Sequence, residues 1–121
     1  MPFSGTLDFV FGGTITVNRL ILVDDGRSVA FDSVATLDGD HYLLDTRAYL
    51  QDDGRFVSDE IPPIAVIDAH GRQPVVRPGF VNLPVVLSFT NLEIDQDVLH
   101  VIGNWRIDNQ DLQFEGDLYR N

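Results

Sequence analysis

Among the residues able to do chemistry, His100 is the most suggestive. It stands in an alternating stretch, Val98, His100, Ile102, Asn104 and Arg106, whose intervening residues Leu99, Val101, Gly103, Trp105 and Ile107 form an apolar row. Side chains of an extended chain point alternately to opposite faces, so the polar row either lines a cavity or faces water. In a cavity, His100 is a candidate acid or base and Arg106 a stabiliser of negative charge. On an outer face both are simply solvated. His41 opens a strand and His70 lies in a turn, and the three histidines share no metal-ligand spacing. Glu93, Asp95 and Asp97 offer three carboxylates to a hard cation such as calcium, which takes roughly six to eight oxygens. That segment also reads as a turn, and no metal site is expected. Asp45 and Arg47 share a strand face with His41 and Tyr49 and suit a cross-strand charge pair better than a catalytic couple.

Motifs with a fixed mechanism are missing. The chain has no GxSxG, no Walker A loop, no dinucleotide-binding GxGxxG, no HExxH and no EF-hand loop, so no cofactor is implied. Without cysteine there is no disulfide, no thiolate catalysis and no cysteine-ligated zinc. The 121 residues suit one domain with one core.

All eight basic residues are arginine, set against 16 Asp and three Glu, for a formal charge of -11. Such a field repels phosphate backbones and anionic membranes, which argues against nucleic acid and membrane as partners. Most aspartates stand in short segments between apolar runs, where Asp bonds its own backbone and favours turns. Salt adaptation or an acidic partner-binding surface would use the same residues. No apolar run approaches the roughly 20 residues of a membrane span. The start, Met1-Pro2-Phe3-Ser4-Gly5, lacks the pattern of a secretory signal, so a cytoplasmic location is expected.

The elements that would position these groups are all strands. Turn signals recur at short intervals, among them Gly12-Gly13, Asp24-Asp25-Gly26, Asp38-Gly39-Asp40, Asp52-Asp53-Gly54 and Asp95-Gln96-Asp97. Between them, segments rich in Val, Ile, Leu, Phe, Thr and Tyr predict about ten strands. They lie near residues 3–11, 14–23, 28–37, 41–50, 54–58, 63–68, 73–77, 84–93, 97–107 and 112–120. No segment has a helical period. The expected fold class is all-β: an antiparallel meander that, lacking helices to cover it, closes into a barrel or a flattened sandwich.

Alternation gives the inward set: Phe3, Leu7, Phe9 and Phe11; Val29, Phe31, Ala35 and Leu37; Tyr42, Leu44, Ala48 and Leu50; Leu99, Val101, Trp105 and Ile107; Leu112, Phe114 and Leu118. Runs such as Leu20-Ile21-Leu22-Val23, Ile64-Ala65-Val66-Ile67 and Leu83-Pro84-Val85-Val86-Leu87 are apolar on both faces. With no helix to cover the second face, a homo-oligomer is expected.

Small residues interrupt the inward rows at Gly5, Ser33, Thr46, Gly103 and Gly116. Interior glycine marks a bend, a bulge or the close approach of another group. Two readings follow. Either barrel closure needs the kinks, or the interior is hollow, lined by Phe9, Phe31, Tyr42, Trp105 and Phe114, with Ser33 and Thr46 as orienting hydroxyls. In the irregular stretch from Asp59 to Pro84, which holds five of the six prolines, Arg72, Arg77 and Phe80 could grip an anion at the barrel mouth, or the prolines could block strand addition.

No family is identified at motif level. Gly5-Thr6-Leu7 stands where a lipocalin-like barrel would carry Gly-x-Trp, and the paired histidines of a cupin are absent. The leading expectation is a protein that holds a small apolar or amphipathic molecule inside its barrel. Two alternatives stay open: a barrel cyclase or isomerase that works by shaping its substrate, and an acidic structural or interaction module.

Overall fold

A computed structural model describes residues 2–37, 40–59, 66–67, 74–75, 85–107 and 110–121; for 37, 40, 66–67, 74–75 and 107 it describes the backbone alone. Ten strands run in chain order: β1 (Phe3–Phe9), β2 (Thr14–Val23), β3 (Ser28–Leu37), β4 (Asp40–Leu50), β5 (Phe56–Ser58), β6 (Val66–Ile67), β7 (Pro74–Val75), β8 (Val85–Asp95), β9 (Val98–Ile107) and β10 (Gln110–Arg120). One 3-10 turn, Asp24–Gly26, joins β2 to β3.

Eight of the strands, rather than all ten, close a ring in the order β1, β2, β3, β4, β5, β8, β9, β10, every neighbouring pair antiparallel. The fold is a closed eight-stranded barrel. β6 and β7 stand outside the ring, with His41 and Tyr42 of β4 opposite Ile67 and Val66 of β6. Closure is made by the first and last strands, from Phe3 opposite Arg120 to Phe9 opposite Phe114. The chain ends reinforce it: the Asn121 amide donates to the Pro2 carbonyl at 3.1 Å, and the Ser4 hydroxyl donates to Asn121 Oδ1 at 2.6 Å.

The turns are built as their residues allow. Asp24 and Asp25 take φ of 53° and 57°, and Gly26 takes 83°, a left-handed run that Asp tolerates better than branched residues do. At the opposite end of the barrel from this turn lie the Gly12-Gly13 turn and the ends of β3 and β9.

Alternation sends Leu7, Phe9, Ile15, Val17, Val29, Phe31, Leu44, Leu87, Leu99, Trp105, Phe114 and Leu118 into the core, each large side chain contributing about 1.5–3 kcal/mol of transfer free energy. Two residues expected inside are not: Phe11 is 59% and Leu50 46% exposed. Both lie past the last inward residue of their strands, where the chain leaves the wall to turn.

β-Bulges reset the inward phase beside the apolar runs, within which alternation is regular: Leu20 is buried with Ile21 half-buried outside it, and Val85 and Leu87 are buried with Val86 half-buried between them. In β2 the pairing shifts between Val17 and Arg19, so Ile15 and Val17 point inward and then Leu20 takes over the inward phase. In β8 a shift between Phe89 and Asn91 does the same. One added residue flips every later side chain to the other face.

Candidate functional site

The interior is an aromatic cluster. Phe31 on β3 meets Phe89 on β8 across the lumen, ring centroids 5.3 Å apart at 77°. Phe89 meets Phe114 at 6.0 Å, Phe114 meets Phe9 at 6.0 Å, and Phe9 meets Trp105 at 5.5 Å, all edge to face. This is the geometry aromatic quadrupoles favour. The middle of the barrel is therefore crossed by the protein's own rings.

Of the residues read as lining a hollow, Phe9, Phe31, Ser33, Tyr42, Trp105 and Phe114 are buried inside, and Thr46 is half-buried beside them, opposite Phe31 in register. The Ser33 hydroxyl already donates to the Leu44 carbonyl at 3.3 Å. Phe89, central to the ring contacts, was missed. The alternation Val85, Leu87, Phe89 carried its signal, masked by Val86 and by the bulge just beyond it.

Gly103 shows what the small inward residues do. It faces Phe114 on β10 and Phe89 on β8 in register. A Cβ there would fall 2.7 Å from Phe114 Cζ and press on the Ser88 carbonyl. The glycine makes room for a ring, which is the packing reading of interior glycine.

One polar atom inside is unpaired. Trp105 is 1% exposed, and its indole Nε1–H has no hydrogen-bond acceptor among the described residues. Leu112 and Leu87 flank Trp105 in register on β10 and β8. β5 reaches only Ser58, where backbone pairing with β8 stops and the buried Ser58 Oγ accepts the Leu87 amide at 2.9 Å. Above that point, among the described residues, no strand pairing joins β4 to β8.

His100 and Arg106 are not a catalytic couple. Both side chains are on the outer wall, and six residues of extended chain separate them by about 20 Å. His100 is flanked in register by Asp117 and Glu93 and bonds Asp117 through Nδ1 at 2.5 Å. That bond raises the imidazole above its ordinary pKa of 6.5; partial desolvation opposes the rise, and the charges of Asp117, Glu93 and Asp95 add to it. A groove of about 600 Å³ runs beside it on the outer wall, bordered by Asp8, Val10, Asn91, Ile102 and Glu115.

The other candidates also resolve. His41 Nδ1 pairs with Thr36 Oγ1 at 2.9 Å on the outside of β3 and β4. Asp45 faces Asp32 rather than an arginine, and Arg47 reaches Asp24 at 3.9 Å. Asp97 turns to Arg120 at 3.5 Å, away from Glu93 and Asp95. Among the described residues no three His, Asp or Glu side chains converge as a metal cluster, and no helix is long and apolar enough to cross a membrane. His70, Arg72, Arg77 and Phe80 lie outside the described residues.

No protein-family profile matches the chain, and neither a curated protein nor a solved structure matches it.

Proposed function

We propose that this barrel holds a small amphipathic molecule at its Trp105 end, with an apolar body against Phe9, Leu87 and Leu112 and an oxygen acceptor on the indole Nε1–H. The observation that carries the reading is that unpaired donor. Burying an N–H without an acceptor costs about 1–3 kcal/mol, and such groups are rare enough to need a reason. A carbonyl, carboxylate or hydroxyl oxygen of a ligand would remove the cost. The filled centre confines the site to one end of the barrel. An eight-stranded barrel is of a size that either fills with side chains or holds one small ligand; this one does the first at its centre.

Trp105 is the only tryptophan, so its fluorescence reports the site directly. Titration with decanoate and decanol should shift its emission and raise the melting temperature, and Trp105→Phe should weaken binding of both by about tenfold, the equivalent of one lost buried hydrogen bond. Emission and melting temperature unmoved by saturating amounts of either probe, together with no retained small molecule in native mass spectrometry, would reject the proposal.

A further inference from the structure

The outer wall has two different halves. From β1, β8 and β10, six exposed carboxylates (Asp8, Glu93, Asp95, Asp111, Glu115 and Asp117) face outward, with Arg106 of β9 among them and Arg120 engaged by Asp97 at the end of β10. On the opposite side, the outward charges among the described side chains of β2, β3 and β4 are Arg19, Asp32, Asp45 and Arg47, which balance, with Asp24 of the adjoining turn 3.9 Å from Arg47. In a chain of net charge -11, this is the wall that another copy can approach without repulsion.

The neutral wall also carries apolar side chains on every strand. Register fixes its pattern as cross-strand levels: Thr14, Thr36 and His41; then Thr16, Val34 and Leu43; then Arg19, Asp32 and Asp45; then Ile21, Ala30 and Arg47; then Val23, Ser28 and Tyr49. Leu43 and Tyr49 are 42% and 43% exposed. Between the charges lies a hollow of about 300 Å³ floored by Ile21, Val23 and Ala30.

Apart from Arg47, which reaches Asp24 of its own chain, these charges are poorly placed for a lone molecule. Asp32 and Asp45 stand directly opposite each other, an arrangement that destabilises a sheet. Neither makes a hydrogen bond or ion pair with any described residue, and Arg19 makes none either.

We infer that the β2–β3–β4 wall is the interface of a two-fold homodimer in which Asp45 of each copy meets Arg47 of the other. Two orientations are open to two such faces in contact. A two-fold axis along the strands would lay Asp32 against its own counterpart. An axis across the strands, between the Asp32 and Ala30 levels, sets Asp32 against Ala30 and Asp45 against Arg47 twice. The same axis sets Leu43 against Tyr49, and no like charges meet. An isologous contact of this kind closes on itself and leaves the acidic wall and the Trp105 end free.

The area bounds the affinity. Five outward levels on three strands, at about 4.8 Å between strands and about 6.8 Å between like-facing residues, cover roughly 500 Å² per copy. Two copies bury at most about 1,000 Å², the lower edge for a specific interface. A contact at that lower edge, carrying two ion pairs, predicts a weak, salt-sensitive dimer.

Sedimentation velocity on the full chain, from about 1 to about 200 µM, tests this with two exposed substitutions. Wild type should shift from monomer to dimer across that range. Asp45→Arg and Arg47→Asp, each folded by circular dichroism, should each raise the dissociation constant about tenfold or more, since each sets two like-charge pairs face to face. Mixing the two variants should restore a heterodimer. The arginine introduced in one would then meet the aspartate introduced in the other, and the unaltered Arg47 of the first would meet the unaltered Asp45 of the second. Wild type that stays monomeric throughout, variants that dimerise like wild type, or a mixture that remains monomeric would each overturn the inference.

Discussion

Gly103→Ala is the sharpest test of how this barrel is packed. Gly103 is not among the glycines with positive φ, so alanine is free to adopt its backbone conformation. Relief of unfolded-state entropy alone would then stabilise the protein by about 0.4–1 kcal/mol. The contacts predict the opposite. The new methyl would sit 2.7 Å from Phe114 Cζ and 3.0 Å from Cε1, against an optimum of about 3.5–4.0 Å. Phe114 cannot swing away easily, because it is fully buried and held edge-on by Phe9 and Phe89, each at 6.0 Å. The Ser88 carbonyl on the other side is backbone. Overpacking of this kind costs about 1–3 kcal/mol, and with rigid neighbours on two sides the upper half applies, for a net loss of about 1–2 kcal/mol. In a chain of this size that lowers the melting temperature by about 5–10 °C. Phe114→Leu, which shortens the ring, is itself destabilising through two lost edge-to-face pairs of about 0.5–1.5 kcal/mol each. It opens the space the methyl needs, so the double variant should be less destabilised than the two singles added together, by about 1 kcal/mol. The remainder belongs to Ser88. Thermal and urea unfolding followed by circular dichroism measure all four corners of the cycle. A Gly103→Ala protein as stable as wild type, or strict additivity within about 0.5 kcal/mol, would refute the close-approach account.

Two further perturbations address the wall. Ser58→Ala removes the acceptor of the Leu87 amide and leaves that buried N–H unpaired, so it should cost about 1–3 kcal/mol and speed hydrogen exchange at Leu87; unchanged exchange there would count against the hydroxyl as the seam's closing bond. His100 should titrate above its ordinary 6.5 in an NMR pH series, and Asp117→Asn should bring it back down, because the bond to Asp117 is the largest cause of the rise. Since the folded state holds the proton more tightly, the stability this pair contributes is present in full below about pH 6.5 and fades as pH climbs through the raised value. The exposure of both groups keeps the effect small. A wild-type His100 that titrates at or below 6.5 would contradict the bond.

The sequence by itself determined the fold class and most of the strands. Period-two apolar spacing and Asp-Gly or Gly-Gly punctuation leave a helix-free chain one way to hide its apolar face, which is to wrap the sheet on itself. The inward row of Leu99, Val101 and Trp105 was legible for the same reason, since alternation in β9 runs unbroken. Three things were decided only by the tertiary structure. The bulges in β2 and β8 are set by how each strand must bend to close the ring, and a phase shift of one residue leaves no mark in composition. Whether the aromatic set encloses space or fills it depends on which rings face each other across the lumen; Phe31 and Phe89 are 58 residues apart in the chain and only closure puts them at 5.3 Å. The division of charge into an acidic wall and a neutral one is likewise a property of register, because acids from β1, β8 and β10 gather on one side only when β9 joins β8 to β10 and the ring closes β10 on β1.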